Sequence, residues 1–150
     1  MADKKYLEHI RDRNNKISSS FCAAKWYNST VWLSNGRTAS CHHPQAHYIP
    51  SKEIYDSPSA LHNTSFKKEV RKEMLEGKRP EECNYCWRVE DADKDALSDR
   101  HYKSAFSWSA DQFDRIAYSG STVDYQPSYV EVSFSHACNF KCMYCSPSIS

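Results

Sequence analysis

Cysteine spacing limits the folds that are open to this chain of 150 residues. Four of its seven cysteines are dispersed and three form a CxxxCxxC triplet near the end: Cys22, Cys41, Cys83, Cys86, Cys138, Cys142 and Cys145. An odd number suits a complete disulfide framework poorly, and such close spacings in a reducing compartment indicate metal ligands instead. With 39% hydrophobic residues and a mean hydropathy of -0.81, the chain has a modest core. We therefore expect bound metal to hold small modules together.

The charge balance argues against a nucleic-acid or membrane partner. Lysine and arginine number 20 and aspartate and glutamate 19, so the net charge is +1. This balance favours neither a nucleic acid nor an anionic membrane as partner. The sequence also lacks a secretion leader and any apolar run long enough to span a bilayer. We expect a cytoplasmic protein.

The first forty residues predict a poorly ordered N-terminal segment followed by a hairpin. Residues 1–20 are charged, with only a short apolar stripe, and predict a tail or a frayed helix. From residue 25 to 40, tryptophan, valine and threonine favour extended structure, and Asn35-Gly36 suits a tight turn. The pattern predicts a β-hairpin whose second strand leads into Cys41.

A helix is predicted between this hairpin and the pair Cys83 and Cys86. Phe66, Val70 and Met74 recur at helical spacing, which predicts a helix over residues 66–76. The basic residues of this helix are interleaved with glutamates, which predicts a solvated face with helix-spaced ion pairs. The tryptophans of the chain are expected to pack rather than to stack on bases, because no basic cluster surrounds them.

The second half predicts a connector that leads to a strand. Residues 90–99 are acidic and nearly free of large apolar residues, which predicts a solvated segment, and a second helix is predicted from about residue 109 to 118. Residues 129–135 alternate between apolar and polar, as in a strand whose end presents a ligand loop. The apolar residues of this strand share one side: Val130, Val132 and Phe134.

Three cysteines follow this strand on one short loop. Cys138, Cys142 and Cys145 can hold three corners of a cubane [4Fe-4S] cluster and leave the fourth iron without a protein ligand. A zinc knuckle completed by His136 is the alternative. Because the active sites of strand-helix barrels lie at the ends of strands, the position after a strand favours a reactive centre.

With Tyr144 as the aromatic residue before the last cysteine, this strand and loop resemble the start of the radical S-adenosylmethionine (SAM) superfamily. The resemblance implies that Cys138, Cys142 and Cys145 ligate a [4Fe-4S] cluster, that SAM chelates the fourth iron, and that Tyr144 lies near the adenine. For Tyr144 the alternative is plain packing. The resemblance also implies reductive cleavage of SAM to methionine and a 5'-deoxyadenosyl radical, and an electron donor such as flavodoxin or ferredoxin. A peptide is the substrate suggested by analogy.

The upstream cysteines form a second candidate centre. Cys83 and Cys86 are two thiolates on one tight turn, which is half of a tetrahedral metal site. Cys41, leaving the hairpin, and Cys22, at its entrance, are the available partners. Either histidine of His42–His43 could instead replace Cys22 or complete a mixed-ligand site, or both could be loop or substrate-facing residues. A redox dithiol is disfavoured because no βαβ pattern surrounds the CxxC pair.

This layout resembles the twitch domain, a shortened relative of the SPASM domain that carries an auxiliary iron-sulfur cluster in many radical SAM enzymes. The resemblance lies in residues 32–41, in the helix with Arg71, and in residues 80–87. It implies an auxiliary iron-sulfur cluster, although four thiolates suit zinc as well. Twitch domains usually follow the barrel, whereas this module precedes it, an order that resembles a group of phage and bacterial radical SAM proteins.

The predicted fold is a small α+β metal-binding module, a β-hairpin plus a helix, followed by the first strand of a truncated radical SAM (β/α) partial barrel. The predicted division is a tail at 1–20, a twitch-like module at 21–90, an acidic and helical connector at 91–126 and the barrel start at 127–150. A barrel needs on the order of 200 residues, so we expect an N-terminal part of an enzyme that does not turn over SAM by itself. The alternative is a small zinc-binding interaction module without catalysis.

Overall fold

Short helices surround a small sheet. The computed structural model describes residues 3–106, 112–135 and 143. The helices are α1 (Lys4–Ile17), α2 (Ala24–Tyr27), α3 (Ser51–Asp56), α4 (Ser65–Leu75), α5 (Asn84–Ala92), α6 (Asp99–Ser104) and α7 (Phe113–Ser119). The strands are β1 (Asn28–Trp32), β2 (Arg37–Ala39), β3 (His47–Tyr48) and β4 (Tyr129–Ser133). None of these helices has the length and hydropathy that a membrane span requires.

The four strands form one mixed sheet in the order β3-β2-β1-β4. β1 and β2 are antiparallel, with Trp32 opposite Arg37, which confirms the predicted hairpin. Gly36 in its loop has a φ of 65°, a left-handed conformation that glycine adopts without steric cost. β4 pairs with β1 in parallel. The described residues therefore form an α+β fold, while the twitch-like and barrel assignments, and the predicted module boundaries, stay predictions.

The N-terminal segment is a packed helix. Asp3 caps α1 by accepting a hydrogen bond from the backbone N–H of Lys5. Leu7 and Ile10 are buried on one face, and Asn14 Nδ2 donates to Ser104 Oγ at 3.2 Å. Of the two sequence-based expectations, a tail or a frayed helix, the structure therefore shows a helix that packs against α6.

Helix α4 confirms the helix predicted over residues 66–76, with a shift of one residue at each end. Thr64 caps it by accepting a hydrogen bond from the backbone N–H of Lys67 at 3.1 Å. Val70 and Met74 are buried, whereas Phe66 is 44% exposed. The buried face of the helix is therefore rotated from the predicted apolar stripe toward its basic residues.

The prediction of a solvated basic face is wrong for two residues of α4. Lys67 and Arg71 are 3% and 0% exposed. Lys67 Nζ donates to Thr38 Oγ1 at 2.7 Å, and Arg71 Nε donates to the carbonyl oxygen of Lys25 at 2.8 Å. Arg71 Nη1 also donates to Asn63 Oδ1 at 2.8 Å. Buried cations persist where hydrogen bonds replace water, and Arg71 thereby connects α4 to α2.

Replacing Arg71 by methionine is expected to lower the free energy of unfolding by about 2–4 kcal/mol, because two buried acceptors lose their donor. Lys72 is the matched control, since it is a neighbour on the same helix but is exposed. Lys72→Met should change the free energy of unfolding by less than about 0.5 kcal/mol. Urea unfolding of both variants measures the difference, and equal effects would show that the buried hydrogen bonds of Arg71 contribute little.

The main apolar cluster lies around α2 and contains three of the cysteines. Its members are Phe21, Cys22, Ala23, Ala24, Trp26, Tyr27, Met74, Cys83, Cys86, Trp87, Phe113, Ile116 and Tyr125. Trp26 is fully buried and its ring lies 5.0 Å from that of Phe21. Trp26 and Trp87 are therefore packing residues, as predicted. Trp108 lies outside the described residues.

The predicted acidic segment, residues 90–99, is exposed mainly in its first half. Residues 91–95 are exposed, as predicted, but Ser98 is buried, so the prediction is wrong at the C-terminal end; Arg100, just beyond the segment, is also buried. Arg100 Nε donates to Glu90 Oε1 at 2.6 Å, and its Nη1 donates to the carbonyl oxygen of Phe21 at 2.9 Å. These bonds connect α5 and α6 to the backbone beside Cys22. The helix predicted from about residue 109 to 118 is observed as α7 from Phe113 to Ser119, and its predicted start lies outside the described residues.

Candidate metal centre

The four upstream cysteines come together around one cavity. Cys22, Cys41, Cys83 and Cys86 all line it. Each is a free thiol, and Cys41 is the only one of the four that is more than slightly exposed. The structure therefore brings together the four thiols that the sequence grouped, and their ligation of a metal stays a prediction.

Each cysteine lies at the end of a short element. Cys22 precedes α2, and Cys41 comes two residues after β2. Because β2 runs antiparallel to β1, Cys41 returns to the end of β1 from which Cys22 also approaches. Cys83 ends a 3₁₀ turn that follows Pro80, and Cys86 lies in the first turn of α5. The CxxC pair is thus rigidly held by local backbone structure.

The sulfur atoms of these cysteines are not gathered as tightly as ligands of one ion. All four cysteines are among the described residues, where no three of them have sulfur atoms within 4.8 Å of one another. Four thiolates that bind one zinc ion at about 2.3 Å have sulfur atoms about 3.8 Å apart. At least one sulfur–sulfur distance in every set of three is therefore longer than the spacing around a single tetrahedral ion.

The cavity between the thiols is small and has an apolar wall. Its volume is about 20 Å³, and Met74 and Trp87 contribute to its lining. A space of this size holds about one water-sized body. Trp87 is fixed by a hydrogen bond from its Nε1 to the carbonyl oxygen of Pro80 at 2.9 Å, whereas methionine adapts its shape easily.

Burial raises the pKa of all four thiols. For Cys22 burial is the largest cause, and negative charge on Cys41, Cys83 and Cys86 adds to it. Burial raises the pKa of Cys83 to about 11, although the nearby Lys25 opposes the shift. Burial also raises the pKa of Cys41 and Cys86. The thiols are therefore protonated at neutral pH, and a metal that binds them displaces their protons.

A buried lysine supplies positive charge beside the thiols. Lys25 is 4% exposed, lines the cavity and donates a hydrogen bond from its Nζ to Glu82 Oε1. Burial lowers the pKa of Lys25, but the charge that Cys83 carries once it is deprotonated and the Glu82 carboxylate together outweigh burial and raise it. Lys25 is therefore charged, and it compensates part of the negative charge that thiolate ligands bring into the core.

Hydrogen-bond donors point at two of the sulfur atoms. The backbone N–H of His43 donates to Cys41, which opposes the effect of burial on the pKa of that thiol. The backbone N–H of Arg100 acts in the same way on Cys86, whereas the hydroxyl of the nearby Ser98 donates to Glu90 Oε1. Hydrogen bonds to thiolates orient the ligands and adjust the electronic properties of metal-thiolate sites.

Ser40 places an unpaired buried polar group beside the same cavity. It is 3% exposed and lines the cavity, and its Oγ has no hydrogen-bond partner among the described residues. A buried hydroxyl without a partner costs about 1–3 kcal/mol. An inorganic sulfide or a thiolate in the cavity would accept this bond, so the residues around the cavity fit a thiolate-ligated metal group.

A second group of candidate ligands lies at the edge of the cavity. His42, His43 and Asp99 offer three ligand atoms within 4.8 Å of one another. The sequence pointed to the two histidines but missed Asp99, which is 56 residues away from His43 along the chain. No local pattern connects these residues, so only the tertiary structure reveals the group.

The C-terminal triplet and its neighbours lie outside the described residues. This applies to the candidate ligands and the aromatic residue of the predicted cluster loop: His136, Cys138, Cys142, Tyr144 and Cys145. Their roles as ligands of a [4Fe-4S] cluster or of SAM stay predictions. The strand that precedes them is described and lies in the same sheet as the hairpin.

Strand β4 has an uncovered apolar side. Val130, Val132 and Phe134 line one groove, as the alternation predicted, and they are 53%, 39% and 76% exposed. Within the described ranges β4 pairs with β1 alone. Because the two strands are parallel, the chain leaves β4 at the end of the sheet opposite to the end where Cys22 enters.

Comparison with known proteins identifies no relative of this chain. No protein-family model, no curated protein and no solved structure matches the chain. The function is therefore inferred from the residues and geometry of the site.

Proposed function

We propose that this chain binds an iron-sulfur cluster through Cys22, Cys41, Cys83 and Cys86. The observation that carries the proposal is the convergence of four free thiols, from three separate segments, on one cavity at the edge of the apolar core. Iron-sulfur clusters are held by sets of four cysteine thiolates. Lys25 and the hydrogen bonds to Cys41 and Cys86 supply the charge compensation and orientation that such ligands need.

The spacing of the sulfur atoms favours a cluster over a single ion. In a [4Fe-4S] cluster each iron takes its own thiolate, so the sulfurs stand further apart than around one zinc ion. The observed spacing exceeds 4.8 Å for at least one pair in every set of three. A cysteine side chain has a single torsion before its sulfur, so each sulfur takes one of only three staggered positions.

Zinc is the second candidate, and the volume of the cavity favours it. A cavity of about 20 Å³ suits one ion better than a cluster of several atoms. The flexible Met74 lines this cavity, however, and its rotamers set part of the volume. We give the sulfur spacing more weight because a cysteine sulfur moves about one torsion only, whereas three torsions position the end of the Met74 side chain.

The proposed role of this cluster is auxiliary to radical SAM chemistry in the cytoplasm. The support is the CxxxCxxC sequence of Cys138, Cys142 and Cys145, together with β4, an edge strand whose apolar side is uncovered, as expected for a strand of a larger barrel. A [4Fe-4S] cluster held by these cysteines would supply the single electron for the reductive cleavage of bound SAM. An electron donor such as flavodoxin or ferredoxin and a peptide substrate complete the proposal.

Anaerobic reconstitution with iron and sulfide tests the four-thiol centre. The test uses a variant in which Cys138, Cys142 and Cys145 are all replaced by alanine, so that only the upstream thiols remain. This variant is expected to retain iron and sulfide and to show the visible charge-transfer absorbance of an iron-sulfur cluster. Metal analysis and absorbance spectroscopy measure both.

The matched control adds Cys83→Ala to the same variant, and it is expected to lose the iron and the absorbance together. Stoichiometric zinc in the parent variant, with no reconstitutable iron, would overturn the iron-sulfur proposal in favour of the zinc alternative.

A further inference from the structure

We propose that His42, His43 and Asp99 form a second, mononuclear site for a divalent transition-metal ion at the mouth of the four-thiol cavity. The site goes beyond the proposed function, because it uses none of the thiols and does not depend on the metal that they bind. His43 and Asp99 line the cavity themselves, so the ion would lie beside the thiol centre.

The distances between the ligand atoms suit a bound ion. His42 Nε2 lies 3.5 Å from Asp99 Oδ2, and His43 Nε2 lies 2.6 Å from the same oxygen. Ligand atoms at about 2.0–2.2 Å from an ion are about 2.8–3.6 Å apart in tetrahedral or octahedral geometry. The first distance already fits, and the second is a hydrogen bond that opens by less than about 1 Å when an ion enters.

The backbone directs both imidazoles to the same side. Adjacent residues of an extended strand point in opposite directions, but residues 40–44 form a bend. The rings of His42 and His43 therefore lie 4.1 Å apart. The His43 ring stacks on Tyr85 at 3.7 Å and 12°, which fixes its orientation. Asp99 is the first residue of α6, so a rigid element holds the carboxylate.

Two histidines and one carboxylate leave coordination positions open. This ligand set is typical of non-haem Fe(II) sites and, in related form, of catalytic zinc sites. The His42 side chain is 61% exposed, and that of Asp99 is 32% exposed, so ions and small ligands can reach the site from solvent. The open positions would accept water or an oxygen or nitrogen atom of a substrate.

A simple structural explanation covers only part of this arrangement. The hydrogen bond between His43 and Asp99 could connect the bend to α6 without any metal. That role does not require His42, whose Nε2 is 3.5 Å from the carboxylate. A metal site requires all three residues, so the effect of replacing His42 separates the two explanations.

Co²⁺ titration of the iron-reconstituted chain of 150 residues tests the proposal by metal analysis and by spectra from which the iron-sulfur absorbance is subtracted. Co²⁺ bound by histidine and carboxylate lacks the strong thiolate-to-cobalt charge-transfer band. We expect one equivalent of bound Co²⁺ with no such band in the difference spectrum, displaced by Zn²⁺. His42→Ala and Asp99→Asn are each expected to weaken Co²⁺ binding by more than ~10-fold while the iron content stays unchanged.

The exposed His9 provides the matched control, and His9→Ala should bind Co²⁺ like the parent chain. Lys103 lines the same cavity, and Lys103→Met is expected to strengthen Co²⁺ binding because it removes a nearby positive charge. The proposal is overturned if the parent binds no additional Co²⁺, or if His42→Ala binds it as the parent does. Loss of iron in His42→Ala would also overturn it, because the histidine would then belong to the thiol centre.

Discussion

Replacing Cys83 by alanine is expected to abolish metal binding at the four-thiol centre and to leave the metal of the C-terminal triplet in place. Cys83 is buried and shares its cavity with Cys22, Cys41 and Cys86. Loss of one of four thiolate ligands is expected to lower the metal affinity by more than ~100-fold. Loss of a residue that only hydrogen-bonds to a ligand already lowers the affinity by about 10–100-fold. Iron and sulfide analysis of the reconstituted chain of 150 residues measures the loss.

Cys142→Ala is the reciprocal variant and is expected to remove only the metal of the triplet. The reason is the sheet: the four thiols lie toward the start of β1, whereas the chain leaves the parallel β4 at the opposite end. The five residues of β4 span about 16 Å. If Cys83→Ala and Cys142→Ala each lost all of the bound metal, the result would contradict two independent centres and indicate one shared centre.

Cys83→Ala is also expected to show that metal bound at the four-thiol centre stabilises the fold. Cys22, Cys83 and Cys86 belong to the main apolar cluster, together with Trp26 and Phe113. Metal that binds only the folded chain adds its binding free energy to stability. Cys83→Ala should therefore lower the midpoint of thermal unfolding much more in the metal-loaded chain than in the metal-free chain. Cys83→Ser keeps the side-chain size and controls for lost packing.

Elements that depend on local sequence were predictable. The Asn35-Gly36 turn set the hairpin, and the spacing of Val70 and Met74 set α4, because both depend on a few neighbouring residues. The grouping of the four thiols was also predictable, since CxxC supplies half of a site and few cysteines remain to complete it. These features follow from backbone preferences and ligand chemistry.

Features that depend on distant residues were not predictable. Lys67 and Arg71 look like surface residues in sequence, and only the hydrogen bonds offered by Thr38, Asn63 and the backbone of Lys25 explain their burial. The parallel pairing of β1 with β4 joins segments about a hundred residues apart. No periodicity along the chain encodes such pairings, because they depend on which surfaces meet after folding.

Replacing Lys25 by methionine is expected to lower the free energy of unfolding of the metal-loaded chain by about 3–5 kcal/mol. Methionine keeps most of the length of the side chain but removes its charge. The Glu82 carboxylate and the thiolate of Cys83 then lose the buried cation that faces them. The same loss should weaken metal retention, because the centre carries more uncompensated negative charge. Urea unfolding and metal analysis after dialysis measure the two effects.

Lys52→Met is the matched control for this prediction. Lys52 also pairs with a carboxylate, that of Asp56, but the two side chains are 84% and 63% exposed. Its replacement should cost less than about 1 kcal/mol, because water screens an exposed pair. Adding Glu82→Gln to Lys25→Met should restore part of the lost stability by removing the unpaired buried charge. If Lys25→Met behaves like Lys52→Met, the buried lysine does not compensate the charge of the thiol centre.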